Sequence, residues 1–274
     1  MKNCSDILRR EEEINIAFGE KIMKRIIEVD SLKIGEGMPK ICVPIIGRTK
    51  KEIINSAKFI NESEADFVEW RGDFFNNIGQ WDKVKEVLQE LRLYLKSKPL
   101  LFTFRTLKEG GNLDISSKEY LELNINVIRS KDIGFIDIEY CMDESIVTTL
   151  VDEARKNNVF TIISNHDFNK TPNKKEIIKR LWEMQKLNGD MIKIAVMPKE
   201  KSEVFTLMEA TEEMVRLYAD RPIIAMSMSE LGVISRVTGE FFGSDVTFAT
   251  VGEKSAPGQL PIEKVKQLLS LLHK

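Results

Sequence analysis

Eight times between residues 40 and 250, a short apolar run is followed by a polar break and a longer amphipathic stretch. The runs are KICVPII (40–46), DFVEW (66–70), PLLFTF (99–104), GFIDIEY (134–140), VFTIIS (159–164), DMIKIAV (190–196), PIIAMSM (222–228) and DVTFAT (245–250). They are short and rich in Ile, Val and Phe, as strands covered on both faces are. Between them, apolar residues fall three and four apart, as in Val84, Val87, Leu88, Leu91 and Leu95, or Val265, Leu268, Leu269 and Leu272. That spacing marks one face of a helix. Strands alternating with helices demand a parallel sheet with helical crossovers, and eight such units close most economically into an α/β (β/α)8 TIM barrel. An open doubly wound sheet is the alternative. It would hold a dinucleotide or phosphate after its first strand, and no GxGxxG or GxxxxGKS stands there.

The length of 274 residues fits one such barrel with a little to spare. Residues 24–38, KRIIEVDSLKIGEGM, read as a β-hairpin capping the barrel bottom. Residues 1–22 read as a charged leader with no place in the repeat, helical or disordered, and Met23 as a natural start. The single barrel unit is expected to run from 23 to 274.

Charge narrows the partners. Lysine and arginine total 41 against 43 acids, a formal charge of −2, which offers no footprint for nucleic acid or an anionic membrane. No apolar stretch reaches the 18 residues a membrane span needs. The three cysteines, Cys4, Cys42 and Cys141, are odd in number and widely spaced, so neither a disulfide framework nor a zinc site is expected, and the cytoplasm is the implied compartment.

Alternation along a barrel strand separates helix-facing from inward-facing side chains, and chemistry gathers at the strands' carboxyl ends. In the sixth run Ile192, Ile194 and Val196 share one parity, which leaves Lys193 inside. An apolar barrel disfavours the ammonium form, and a neutral amine there is a nucleophile able to form a Schiff base. The other reading is a lysine paired with Glu69 or Asp137. His166 follows the fifth run with the parity of Ile162 and Ser164, a candidate general acid–base. Alternatively it is a loop hydrogen-bonder. Metal binding is disfavoured, because the only other histidine is His273 at the tail.

Charges crowd the remaining strand ends. Glu69 and Arg71 share an inward parity, with Asp73 beyond them. Arg105 shares that of Thr103, with Glu109 four residues on. Asp137 and Glu139 stand opposite Ile136 and Ile138, and Asp137 reads first as part of an ion-pair network. Arginines at a barrel mouth imply a small anionic substrate. Met226 and Met228 read as pocket wall. Ser229 is a candidate N-cap for a helix that carries Arg236 towards solvent. GEKSAPGQ (252–259) has the composition of a lid.

Six segments in this order, EWRGD, FTFRTLKEGG, SNHDF, KIAVMP, MSMSELGVISR and SAPGQ, resemble type I 3-dehydroquinate dehydratase of the shikimate pathway. The likeness spans roughly residues 24–274. It implies a TIM barrel that dehydrates 3-dehydroquinate to 3-dehydroshikimate through a lysine imine, as a homodimer and without metal or cofactor. By resemblance Lys193 is the imine-forming lysine, His166 the general acid–base, and Glu109 the acid that orients it. Glu69, Arg71, Arg105, Arg236, Ser255 and Gln259 fall on substrate-contact positions, with Arg236 on the carboxylate and Ser255 and Gln259 on the closing loop. Pro44 stands where some relatives have serine, so no contact is assigned to it. Two other readings keep the barrel: a class I aldolase, which usually also needs phosphate-binding backbone near strands seven and eight, and an inactive barrel that binds small acids.

Overall fold

A computed structural model of the protein describes residues 24–252 and 255–273. The leader expected over 1–22 lies outside the described residues. The hairpin forms where the sequence places it: β1 (Ile27–Val29) pairs antiparallel with β2 (Leu32–Ile34) across a tight turn at Asp30 and Ser31.

The eight runs become β3 (Lys40–Ile45), β4 (Phe67–Arg71), β5 (Leu100–Thr103), β6 (Phe135–Glu139), β7 (Phe160–Asp167), β8 (Met191–Val196), β9 (Ile223–Ser227) and β10 (Val246–Phe248). All pair in parallel in the order β10-β3-β4-β5-β6-β7-β8-β9. The seam between β9 and β10 is bridged without a ladder. The Asp245 N–H donates to the Ile223 carbonyl at 2.7 Å, and the Ile223 and Ala225 N–H groups donate to the side chains of Asp245 and Ser244. The result is the (β/α)8 barrel.

Helices α1 (Lys50–Asn61), α2 (Trp81–Leu95), α3 (Ser117–Ser130), α4 (Glu144–Lys156), α5 (Lys174–Lys186) and α6 (Lys201–Leu217) fill the crossovers. Two short helices, α7 (Val233–Val237) and α8 (Gly239–Phe242), follow β9, and α9 (Ile262–Leu272) closes the chain. Capping boxes at Thr49 with Glu52, and at Ser116 with Glu119, satisfy free amides at the starts of α1 and α3.

Parity divides the core in two. Ile41, Val43, Trp70, Phe102, Ile136, Ile163, Ile192 and Ile194 meet the helices. The lowest inward positions, Phe67, Leu101, Phe135, Ile162, Met191, Ile224 and Val246, fill the base of the barrel, and Ile27, Leu32 and Ile34 of the hairpin join that cluster from below. One inward step up each strand the chemistry changes: Phe67 gives way to Glu69, Leu101 to Thr103, Phe135 to Asp137, Ile162 to Ser164 and Met191 to Lys193. A dry floor thus supports a polar mouth.

Candidate active site

The nine residues that the resemblance assigns to chemistry or substrate contact line one cavity of about 210 Å³ at the carboxyl ends of the strands. Lys193 stands at the middle inward position of β8, only 4% exposed. Its Nζ lies 3.7 Å from Asp137 Oδ2, 3.9 Å from Glu69 Oε1 and 4.3 Å from the centroid of the Phe248 ring. None of these contacts is short enough for a hydrogen bond. The surroundings are therefore not the purely apolar interior expected from sequence. Two carboxylates and an aromatic face hold the amine loosely, and its lone pair or donors remain free for a ligand.

Arg105 is the opposite, a group fully engaged. Its Nη2 donates to Asp137 Oδ1 at 2.7 Å, and its Nη1 donates to Glu139 Oε1 at 2.9 Å and Ser164 Oγ at 3.1 Å. Glu109 Oε2 lies 3.4 Å from the same Nη1. Burial pulls this guanidinium down, but the three carboxylates outweigh it and hold it well above its ordinary value. Burial likewise pushes Asp137 up, yet the charges of Arg105 and Lys193 bring it below its ordinary value. The network reading of Asp137 is what the geometry shows. Glu139 is braced further by the Thr106 N–H at 2.8 Å and the Thr106 hydroxyl at 2.7 Å.

His166 lies inside β7, not beyond it, because β7 continues three residues past the apolar run to pair Asn165, His166 and Asp167 with Ile194, Ala195 and Val196 of β8. Its Nδ1 is 3.1 Å from Glu109 Oε2, which also accepts from the His166 backbone N–H at 3.0 Å. Asn165 Nδ2 donates to Glu109 Oε1 at 2.9 Å. A carboxyl surrounded by donors is an acceptor, so Nδ1 carries the imidazole proton and Nε2 is left with its lone pair. Burial raises Glu109 to about 7, with Arg105 opposing. Burial, reinforced by the charges of Arg105, Lys193 and Arg71, holds His166 well below its ordinary value. The imidazole is thus a neutral base at neutral pH.

Arg71 is clamped in a two-point pair with Asp73, at 2.8 and 2.9 Å, and Asp73 also accepts from the Arg105 and Asn112 backbone N–H groups. Arg236 does not reach solvent as its place in a helix suggested. It is 1% exposed, because α7 is a short turn whose inner face looks back over the barrel. Its Nη1 donates to Met226 Sδ at 3.5 Å and its Nη2 to the Pro257 carbonyl at 3.0 Å, while Nε has no partner. Among the described residues no carboxylate pairs with it. Burial alone draws it down to about 10, which leaves it cationic at physiological pH.

Ser255 and Gln259 hold each other: the Ser255 N–H donates to Gln259 Oε1 and Gln259 Nε2 donates to Ser255 Oγ, both at 2.9 Å. Between them Gly258, at φ +79°, passes so close to Ser229 that a Cβ would stand 2.1 Å from the Ser229 carbonyl oxygen. Only glycine permits that approach. Ser229 itself is left-handed, at φ +60°, and α7 begins at Val233 behind Gly232. It is a docking point for the 255–259 segment and not an N-cap. Of the expected lid, residues 253 and 254 lie outside the described residues.

Three residues of the site escaped the sequence reading. Phe248, beneath Lys193, shares the inward parity of Val246 and could have been found. Phe168 covers Gly110, where a Cβ would meet its ring at 2.3 Å, and only loop geometry brings it there. Asn165 has the helix-facing parity and carried no signal. The assembled groups amount to a buried amine, a neutral base oriented by an acid, and a cation without an anion. Among the described residues no three His, Cys, Asp or Glu side chains are placed to hold a metal ion. No helix among them is long and apolar enough to cross a membrane.

Known proteins resemble this chain over most of its length. The model of the family described as type I 3-dehydroquinase matches residues 41–274. A 3-dehydroquinate dehydratase of Clostridioides difficile (strain 630) is 51% identical over 252 residues, 92% of this chain and 99% of the relative. One of Bacillus subtilis (strain 168) is 46% identical over 249 residues, 91% and 98% of the two chains. A crystal structure of the type I 3-dehydroquinate dehydratase of Clostridium difficile with covalent modified comenic acid superposes with a TM-score of 0.89 at 51% identity, covering 91% of this chain and 98% of that one.

Proposed function

Because this chain belongs to the type I 3-dehydroquinase family and is a 3-dehydroquinate dehydratase, we propose that it removes water through an imine on Lys193, with His166 moving the protons. The observation that carries the reading is Lys193 itself, a buried amine on the cavity wall with no hydrogen bond to its Nζ. Lys193 passes a proton to His166 Nε2 and its freed amine attacks the substrate ketone; the same proton returns from His166 to the carbinolamine hydroxyl, which leaves as water, and a protonated imine results. Asp137 and Glu69, within 4 Å of Nζ, stabilise that cation electrostatically. The imine then draws the electrons of the adjacent C–H bond as His166 Nε2 takes the proton, giving an enamine. Return of the electrons expels the hydroxyl, which leaves as water with the proton from His166. Hydrolysis of the conjugated imine frees the enone product and Lys193.

Glu109 holds the tautomer that keeps Nε2 basic. Arg236 takes the substrate carboxylate, its missing counter-charge, while Glu69 and Arg71 meet the hydroxyl-bearing face of the ring. Arg105 acts near the ring as the positive centre of the acidic wall. Ser255 and Gln259 close the mouth and exclude water. Metal and cofactor have no step in this scheme. The cytoplasm and a homodimer, expected from the cysteine pattern and the family resemblance respectively, complete the proposal. A carbon–carbon aldolase would share the lysine, but family membership favours dehydration.

The test is reductive trapping. Borohydride added with 3-dehydroquinate should fix the reduced ligand on Lys193, located by peptide mass spectrometry, and Lys193→Ala should lose both the adduct and turnover while remaining folded. Folded parent enzyme that turns over yet yields no adduct would sink the imine mechanism.

A further inference from the structure

Behind the acid that orients His166 stands a pair that the scheme above does not use. Asn165 leaves β7 on the parity that faces the helices, yet its amide reaches round the strand end to Glu109, with Nδ2 donating to Oε1 at 2.9 Å. Its Oδ1 accepts from Arg180 Nη1 of α5 at 3.1 Å. Arg180 is itself aimed: Nε donates to Glu176 Oε1 at 2.9 Å, one turn back on the same helix, and Asp167 Oδ2 stands 3.6 Å from Nη1. Neither Asn165 nor Arg180 lines the cavity.

The orientation of the Asn165 amide follows from its neighbours. A guanidinium only donates, so the amide oxygen must face Arg180. The amide NH2 is then committed to Glu109. A flipped amide would set oxygen against carboxylate and NH2 against guanidinium, two repulsions at once. We infer that Asn165, held in register by Arg180, is a positioning residue that keeps Glu109 an acceptor for the His166 Nδ1–H. Without that donor the carboxyl could protonate and turn a hydroxyl towards His166, and the imidazole would lose its fixed tautomer.

The other groups facing Glu109 set the background. Arg105, beyond β5, favours the ionised form; Glu139 of β6 opposes it; the Cys141 thiol, 3.7 Å from Glu139 Oε2, lies beside both acids; His166 faces it from β7. Around Arg180 stand Glu176, Asp167 and the hydrogen-bonded pair of Tyr140 with Glu183. Burial has already brought Glu109 to about 7, so one donor gained or lost moves its ionisation through the working range.

This inference rests on the proposed role of His166, so the experiment reads the pair directly as well as through turnover. The chain has only two histidines. Histidine NMR titration of the free enzyme therefore follows His166, with His273 assigned by His273→Gln. In Asn165→Leu, the inflection that Glu109 imposes on His166 should move up by about one pH unit, the scale of one hydrogen bond to a charged group. Arg180→Met, which touches neither Glu109 nor His166, should shift it in the same direction by less, and Arg180→Lys should restore most of the difference. The acid limb of kcat/KM should move in step while KM above that limb stays unchanged. Titrations of Asn165→Leu and Arg180→Met that superimpose on the parent's would overturn the inference. Should Asn165→Leu fail to fold, Arg180→Met decides alone. A shifted titration with an unshifted limb would uphold the positioning and overturn the role of His166.

Discussion

The wall of the cavity formed by β5, β6 and β7 and the wall across from it, formed by β9, α7 and the 255–259 segment, each bury one arginine. Arg105 is surrounded by Asp137, Glu139 and Glu109 and satisfied by the Ser164 hydroxyl. Arg236 has a thioether, one carbonyl and an empty Nε. A buried charge without a counter-charge costs folding free energy, whereas a buried charge in a closed network holds its neighbours in place. The first wall is complete as it stands. The second lacks a negative charge, and the substrate carboxylate is the group we propose brings it. On that proposal, the contrast separates a residue that shapes the site from a residue that selects the ligand.

Breaking the first wall should have the larger effect. Arg105→Met leaves three buried acids facing one another, and losing one partner of a buried ionic cluster costs about 3–5 kcal/mol. For a barrel of this size that is a fall in Tm of roughly 10 °C, read by thermal denaturation. In the parent, the Arg105 and Lys193 charges depress Asp137, so its contribution is present at neutral pH and lost as pH falls. In the variant, the stranded carboxyls rise above their unfolded values, so the deficit should shrink as pH falls. An unchanged Tm would show that the network organises nothing.

Breaking the second wall should leave the fold alone. Arg236→Met removes an uncompensated buried cation and substitutes an apolar chain of similar reach, so the Tm of the free enzyme should hold or rise. KM should increase on the order of a hundredfold, the cost of truncating one partner of a buried charge pair. A small carboxylate that protects the parent against heat should fail to protect the variant. A destabilised variant with normal KM would reverse the comparison.

How legible each wall is in the sequence follows from the same division. The sequence places the strands within one to three residues, because each is a short, mostly apolar run between polar breaks. The exception is the end of β7, where Asn165, His166 and Asp167 look like loop and are strand only because β8 offers partners. Parity placed Glu69, Arg105, Asp137 and Lys193 inside, since a charge on the inward phase of an apolar strand has nowhere else to point. Parity carries as far as Arg105, two residues past β5, and fails farther from a strand. It gives no account of Arg236, which only the family resemblance places in the site, nor of Ser229, an N-cap candidate by residue type that instead takes a left-handed turn close against Gly258. Asn165 was hidden for a related reason: alternation says how a side chain leaves its strand, not how far round the strand end it can reach.

The smallest expected effect sharpens the comparison by pH. The first wall contains a group that titrates near neutrality, Glu109 at about 7, while Arg236 on the second stays charged to about 10. In the proposed mechanism Glu109 acts as the carboxylate, so kcat should be full above that value and fall as pH drops through it, about tenfold per pH unit once well below. KM should stay level from pH 6 to 9, because neither the guanidinium nor a carboxylate ligand changes charge there. Glu109→Gln removes the titrating group but keeps an amide oxygen to accept from His166. It should flatten the acid limb at a reduced kcat and leave KM in place. Initial rates across that range on the parent and this one variant suffice: a limb that persists in Glu109→Gln would assign the titration to another group and dissolve the distinction between a wall that responds to pH and a wall that does not.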